Sequence, residues 1–109
     1  MASEVLKVAL KPACSDTETK LIDGASGHTY TILSITICET GNAAETFKLL
    51  IDDGGSGADT YIYFDQALGA KETFEHTSKF VMEATDHLSI ITGDSSNIDV
   101  VVSYLDQTL

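Results

Sequence analysis

The chain has 109 residues, 43% of them hydrophobic, and sets 17 acids against six bases for a formal net charge of −11. That length suits one domain with its own core, without the disulfides or metals that chains shorter than roughly 70–80 residues need. Every base is a lysine, so the surface lacks the arginine fork that grips phosphate and the basic stripe that displaces counterions, which excludes nucleic acid and anionic lipid as partners.

The acids have a simpler use, keeping a β-rich chain soluble and discouraging edge-to-edge association. No apolar run approaches the roughly 20 residues of a membrane-spanning helix. Met1-Ala2-Ser3-Glu4 puts an acid where a signal peptide carries bases, and Lys7 and Lys11 break the apolar stretch that follows. The expectation is a protein folded in the cytoplasm, with Cys14 and Cys38 reduced and unpaired.

Alternation of apolar and polar residues dominates, and helical periodicity is nearly absent. The first strand is predicted over Glu4–Leu10, with Leu6, Val8 and Leu10 on one face, and Pro12 is expected to stop its pairing. A short strand follows over Lys20–Asp23, then a turn at Gly24-Ala25-Ser26-Gly27. The longest strand, Thr29–Glu39, turns Leu33, Ile35 and Ile37 inward, and its β-branched density disfavours a helix. After Thr40-Gly41-Asn42 comes Thr46–Asp52, inside the one window, Ala43–Leu50, that also admits a short helix.

A glycine-rich loop, Asp53–Asp59, leads to Thr60–Gln66, with Ile62 and Phe64 on one face and Tyr61 and Tyr63 on the other. Three closely spaced strands, Lys71–Thr77, Lys79–Ala84 and His87–Thr92, precede the last, Ile98–Leu105. Eight or nine short strands at intervals of about ten residues indicate one all-β domain over 1–109, an antiparallel β-sandwich. A jelly roll is the first expectation and an immunoglobulin-like sandwich the second. The expected core is Leu6, Val8, Leu33, Ile35, Ile37, Phe47, Leu49, Ile51, Ile62, Phe64, Phe80, Met82, Leu88, Ile90, Val100 and Val102.

Few residues invite chemistry. Gly54-Gly55-Ser56-Gly57-Ala58-Asp59-Thr60-Tyr61-Ile62 fits the nonapeptide that binds calcium in parallel β-helices, where each ion sits between two successive turns. One copy offers half a cage, so a plain loop is the expectation, with Asp52, Asp53 and Asp59 as the oxygen donors of a weak site otherwise. His28, His76 and His87 lack metal-site spacing, and His76 reads as a surface histidine. No serine occupies a nucleophile elbow, and among 17 acids adjacent carboxylates such as Asp52 and Asp53 occur by chance. Tyr30, Tyr61, Tyr63 and Tyr104 raise glycan stacking, but there is no tryptophan, and tyrosines half-buried at a sheet surface or a subunit contact are the simpler reading. Catalytic residues, cofactor and metal are all expected to be none.

The C-terminal half carries a recognisable cadence. Lys79-Phe80-Val81-Met82-Glu83-Ala84-Thr85-Asp86-His87-Leu88-Ser89-Ile90 leads to Gly93-Asp94-Ser95-Ser96-Asn97 and then Ile98-Asp99-Val100-Val101-Val102-Ser103-Tyr104-Leu105. It resembles the ending of small β-sandwich virion proteins of tailed bacteriophages, in which a strand, a "leucine-or-methionine, glutamate, alanine, x, aspartate" turn and another strand precede a final "VxVSYL" strand. Leu68-Gly69-Ala70-Lys71-Glu72-Thr73 fits the preceding loop, and His87 stands where a small polar residue is more usual. The resemblance covers roughly 68–105. It implies a structural virion protein, assembled in a host cytoplasm, that binds copies of itself, as a trimer, and other virion proteins such as the major capsid protein. Capsid decoration is the first expectation, and a tail, neck or fibre component or a glycan-binding module the alternative.

Overall fold

The computed structural model describes residues 3–53, 59–93 and 97–108. They form nine strands: β1 (Ser3–Cys14), β2 (Thr19–Asp23), β3 (His28–Glu39), β4 (Glu45–Asp52), β5 (Asp59–Leu68), β6 (Thr73–His76), β7 (Phe80–Met82), β8 (His87–Thr92) and β9 (Ile98–Thr108). Every pairing is antiparallel. One sheet runs β1-β9-β3-β6, with β7 also on β3, and the other runs β2-β8-β4-β5. Apart from β4–β5 and β6–β7, each connection crosses from one sheet to the other, and with β6 and β7 taken as one broken strand this is the jelly-roll order. The window over 43–50 belongs to β4 and its approach, because Phe47 and Leu49 alternate into the core.

Between the sheets lie Ile32, Ile35, Ile37, Val100, Val102 and Met82 from one side, and Phe47, Leu49, Leu88 and Ile90 from the other, all essentially without solvent contact. Aromatic rings close one flank. Phe47 and Tyr63 meet Phe74 edge to face at 5.4 and 4.9 Å, and His76 and Phe80 continue the cluster at 5.7 Å. His76 is therefore buried, not superficial, and its Nδ1 lies 2.9 Å from the Tyr63 hydroxyl.

Three expectations about the core are corrected, two of them by backbone irregularities. Leu6 and Val8 are exposed, because the face they share is the outer face of their sheet. A bulge between Ile32 and Ser34 shifts the register, so Ile32 takes the core place and Leu33 is only half-buried. Two irregularities between Phe47 and Leu50, with Asp65 at φ 54°, roll β5 so that Phe64 faces solvent and Tyr63 the interior. Ile51, Ile62 and Phe80 pack against the core only in part. Pro12 does not end β1. It sits in a bulge with Ala13 (φ 53°), whose N–H donates to Asp99 Oδ1 at 2.8 Å, and pairing resumes at Cys14 opposite Ile98.

The turn that carries the phage resemblance is built for folding. Asp86 Oδ2 accepts from Glu83 N–H at 3.0 Å, and Asp86 N–H donates back to Glu83 O at 3.0 Å. Gly24 is pressed against this turn; a Cβ there would lie 2.2 Å from Asp86 O and 2.5 Å from Ala84 O.

Candidate interaction surface

The outer face of the sheet β1-β9-β3-β7 can be assembled from its registers. One row across the strands reads Leu6, Leu105, Thr31, Val81; the next, Val8, Ser103, Ser34; the third, Leu10, Val101, Thr36, Glu75. Leu6 is 73% exposed, Leu10 63%, Val81 60% and Val8 54%. Among the described strand residues, carboxylates reach this face only at its margins, through Glu4, Glu75 and Asp99. In a chain with 17 acids, an apolar and hydroxyl-rich face of this breadth is the departure that needs explaining.

β1 is also the terminal strand of its sheet, so nine residues from Ser3 to Lys11 present an unpaired backbone edge. Shallow hollows border it on both sides of Val8. One of about 400 Å³ is lined by Leu6, Lys7, Val8, Leu33, Ser103 and Tyr104. Another of about 340 Å³ is lined by Leu10, Lys11, Pro12, Asp99, Val100 and Val101.

The opposite face of β1 is held by charge. Lys7 Nζ donates to Asp106 Oδ2 at 2.9 Å, and His28 Nδ1 lies 2.7 Å from Asp106 Oδ1, tying β1, β9 and β3 together. Burial by itself pushes the Asp106 carboxyl up, but the hydrogen bonds from His28 and Lys7 outweigh it and hold the group below the usual carboxylate range. The same hydrogen bond, with the attraction of the Asp106 charge, raises Lys7.

Of the residues singled out for chemistry, Asp52 and Asp59 pair across β4 and β5 and Tyr30 meets Tyr104 at 6.0 Å, whereas the histidines are dispersed. His28 stands over Tyr30 at 5.8 Å, His76 is in the aromatic cluster, and His87 Nδ1 is 2.7 Å from Asp23 Oδ1. Among the described residues no group of three or more histidines, cysteines or acids is placed to hold a metal ion. The nonapeptide loop's residues 54–58 lie outside the described residues. Tyr61 and Tyr63 do not form a platform. Tyr63 turns inward, while Tyr61 meets exposed Phe64 at 88°, with Lys48 Nζ 4.6 Å from the Phe64 centroid.

Cys14 and Cys38 are both free. They sit on opposite faces, with β9 between their strands: Cys14 is buried opposite Ile98, and Cys38 is half-buried opposite Asp99. Burial pushes the Cys14 thiol up, which keeps it unreactive.

What periodicity missed is the outer face itself. The signal was present in β1, where Lys7 and Lys11 alternate with Leu6, Val8 and Leu10, but alternation does not say which set faces the core.

No family model matches the chain, and no curated protein matches it. Solved structures do. A Bacillus endospore appendage protein, of a family described as disulfide-linked pili, is similar with TM-score 0.60 at 13% identity, over 100% of this chain and 91% of that one. A chain in the structure of infectious bursal disease virus strain Gx gives TM-score 0.56 at 10% identity, over 97% of this chain but 32% of that one. The virus-like particle of the extra small virus of the prawn Macrobrachium rosenbergii gives 0.50 at 9%, over 97% and 78%. At these identities the likeness is one of fold: the chain is an all-β jelly-roll sandwich of the kind found in viral particles and in a pilus.

Proposed function

We propose that this chain is a structural virion protein that catalyses nothing and acts by burying the outer face of β1-β9-β3-β7 against other virion proteins. The observation that carries the reading is that face, apolar across its centre and acid-poor in a chain of net charge −11. Burying aliphatic side chains over a broad patch is how a shell-stabilising subunit gains energy without a pocket. The resemblance over 68–105 favours a tailed-phage particle, and the broad apolar face favours capsid decoration, with the major capsid protein and further copies of the chain as partners. A tail, neck or fibre component is the second reading; the pilus protein, matched over nearly the whole of both chains, supports a repeating filament.

Particles purified from the source separate the readings. Quantitative mass spectrometry should find the chain in fixed proportion to the shell protein, and gold-labelled antibody should decorate the shell. Label confined to tails would move the assignment to the second reading, and absence from particles would overturn both.

A further inference from the structure

We infer that β1 pairs with β1 of a second copy across a two-fold axis passing through Val8, joining the two sheets into one. The inference rests on reading the outer face as an assembly surface and adds the partner and the register.

The edge is unusually ready to pair. Natural proteins shield terminal strands with prolines, bulges or charge. Here the only proline and bulge come at 12–13, after nine regular residues, and Lys7, the central charge, is drawn onto Asp106. The remaining residues of Val5–Leu10 are apolar on both faces.

Geometry limits the registers. A two-fold axis perpendicular to a sheet leaves every side chain on its own face, so an antiparallel self-pairing must be centred on one residue and place i opposite 2c − i. Centring on Lys7 sets Lys7 against itself. Centring on Ala9 sets Lys7 against Lys11 of the second copy. Centring on Leu6 sets Val8 against the second copy's Glu4. Centring on Val8 avoids all of these conflicts: Leu6 meets the second copy's Leu10, Val8 meets Val8, Lys7 meets Ala9, and Lys11 meets Val5. Glu4 then falls opposite Pro12, where regular pairing ends. The Leu6, Val8 and Leu10 rows of the two copies become continuous, so pairing leaves the apolar face free and doubles it.

The test is a register test. Light scattering of the native chain at high concentration should give twice 11.6 kDa, and Val8→Lys, with an unchanged circular dichroism spectrum, should return it to 11.6 kDa. In a Cys38→Ser background, Leu6→Cys mixed with Leu10→Cys should oxidise to a linked heterodimer, at least tenfold more than either variant alone. Val81→Lys, on the same face but away from the edge, should leave the dimer intact. A dimer dispersed by Val81→Lys and not by Val8→Lys would overturn the edge pairing while leaving the face as an assembly surface. A chain that stays monomeric would also overturn it, and the particle experiment would still decide the broader reading.

Discussion

Asp106 is nearly buried near the end of β9, and Lys7 from β1 and His28 from β3 converge on its two oxygens. The arrangement lets a lysine occupy the inner face of an edge strand, which in turn obliges Leu6, Val8 and Leu10 to face outward. Its pH dependence follows from the directions of the shifts. The Asp106 carboxyl is lowered in the folded state, so its contribution is complete above the unfolded carboxylate pKa, about 3.9, and is lost as pH falls through the lower folded value. Lys7 is raised, so its contribution is complete below about 10.4 and is lost as pH rises through the higher folded value. Asp106→Asn should therefore lower the melting temperature at pH 5. The difference should shrink below about pH 4. Thermal melts at pH 3 and 5 check this, and a difference larger at pH 3 than at pH 5 would contradict it.

At the scale of the strand, β1 and β3 present the same apolar alternation and opposite burial. Ile35→Ala removes a fully buried side chain between the sheets and should cost about 2–5 kcal/mol. Leu6→Thr keeps a strand-compatible side chain at a site 73% exposed and should change stability by no more than about 0.5 kcal/mol in dilute solution. Denaturant titration compares the two, and a Leu6 cost approaching that of Ile35 would mean that β1 packs inward after all. This contrast also marks what the sequence could reveal. β8 and β9 were legible because Leu88, Ile90, Val100 and Val102 alternate without a break, while Ser89, Asp99, Val101 and Ser103 on the opposite set are polar or exposed. Nothing local says which face of an edge strand meets the core. For β1 the answer lay in a partner for Lys7, 99 positions away. Leu33 and Phe64 were misplaced for another reason: a bulge adds one residue to a strand and flips the alternation beyond it, and no glycine or proline marks those bulges. The interaction surface was thus present in the sequence as residues and hidden as a face.

At the scale of the molecule, the two broad sheet faces differ in character. The face of β1-β9-β3-β7 offers aliphatic side chains with carboxylates only at its rim, whereas the β2-β8-β4-β5 side presents Lys48, an exposed aromatic pair and the Lys48–Asp65 ion pair at 2.5 Å. A strongly acidic chain repels its own copies through most of its surface, so association is directed to where the acids are missing. Jelly-roll order supports this division, because each sheet turns one face to the shared core and the other outward. Hydroxyl-radical footprinting of the free chain and of the chain in purified particles reads this division most directly, since aliphatic side chains are oxidised in proportion to their exposure. Leu6, Leu10, Val81 and Val101 should be strongly protected in particles, with Tyr61 and Phe64 oxidised as in the free chain. Protection of Tyr61 and Phe64 with the four aliphatic residues left reactive would contradict it.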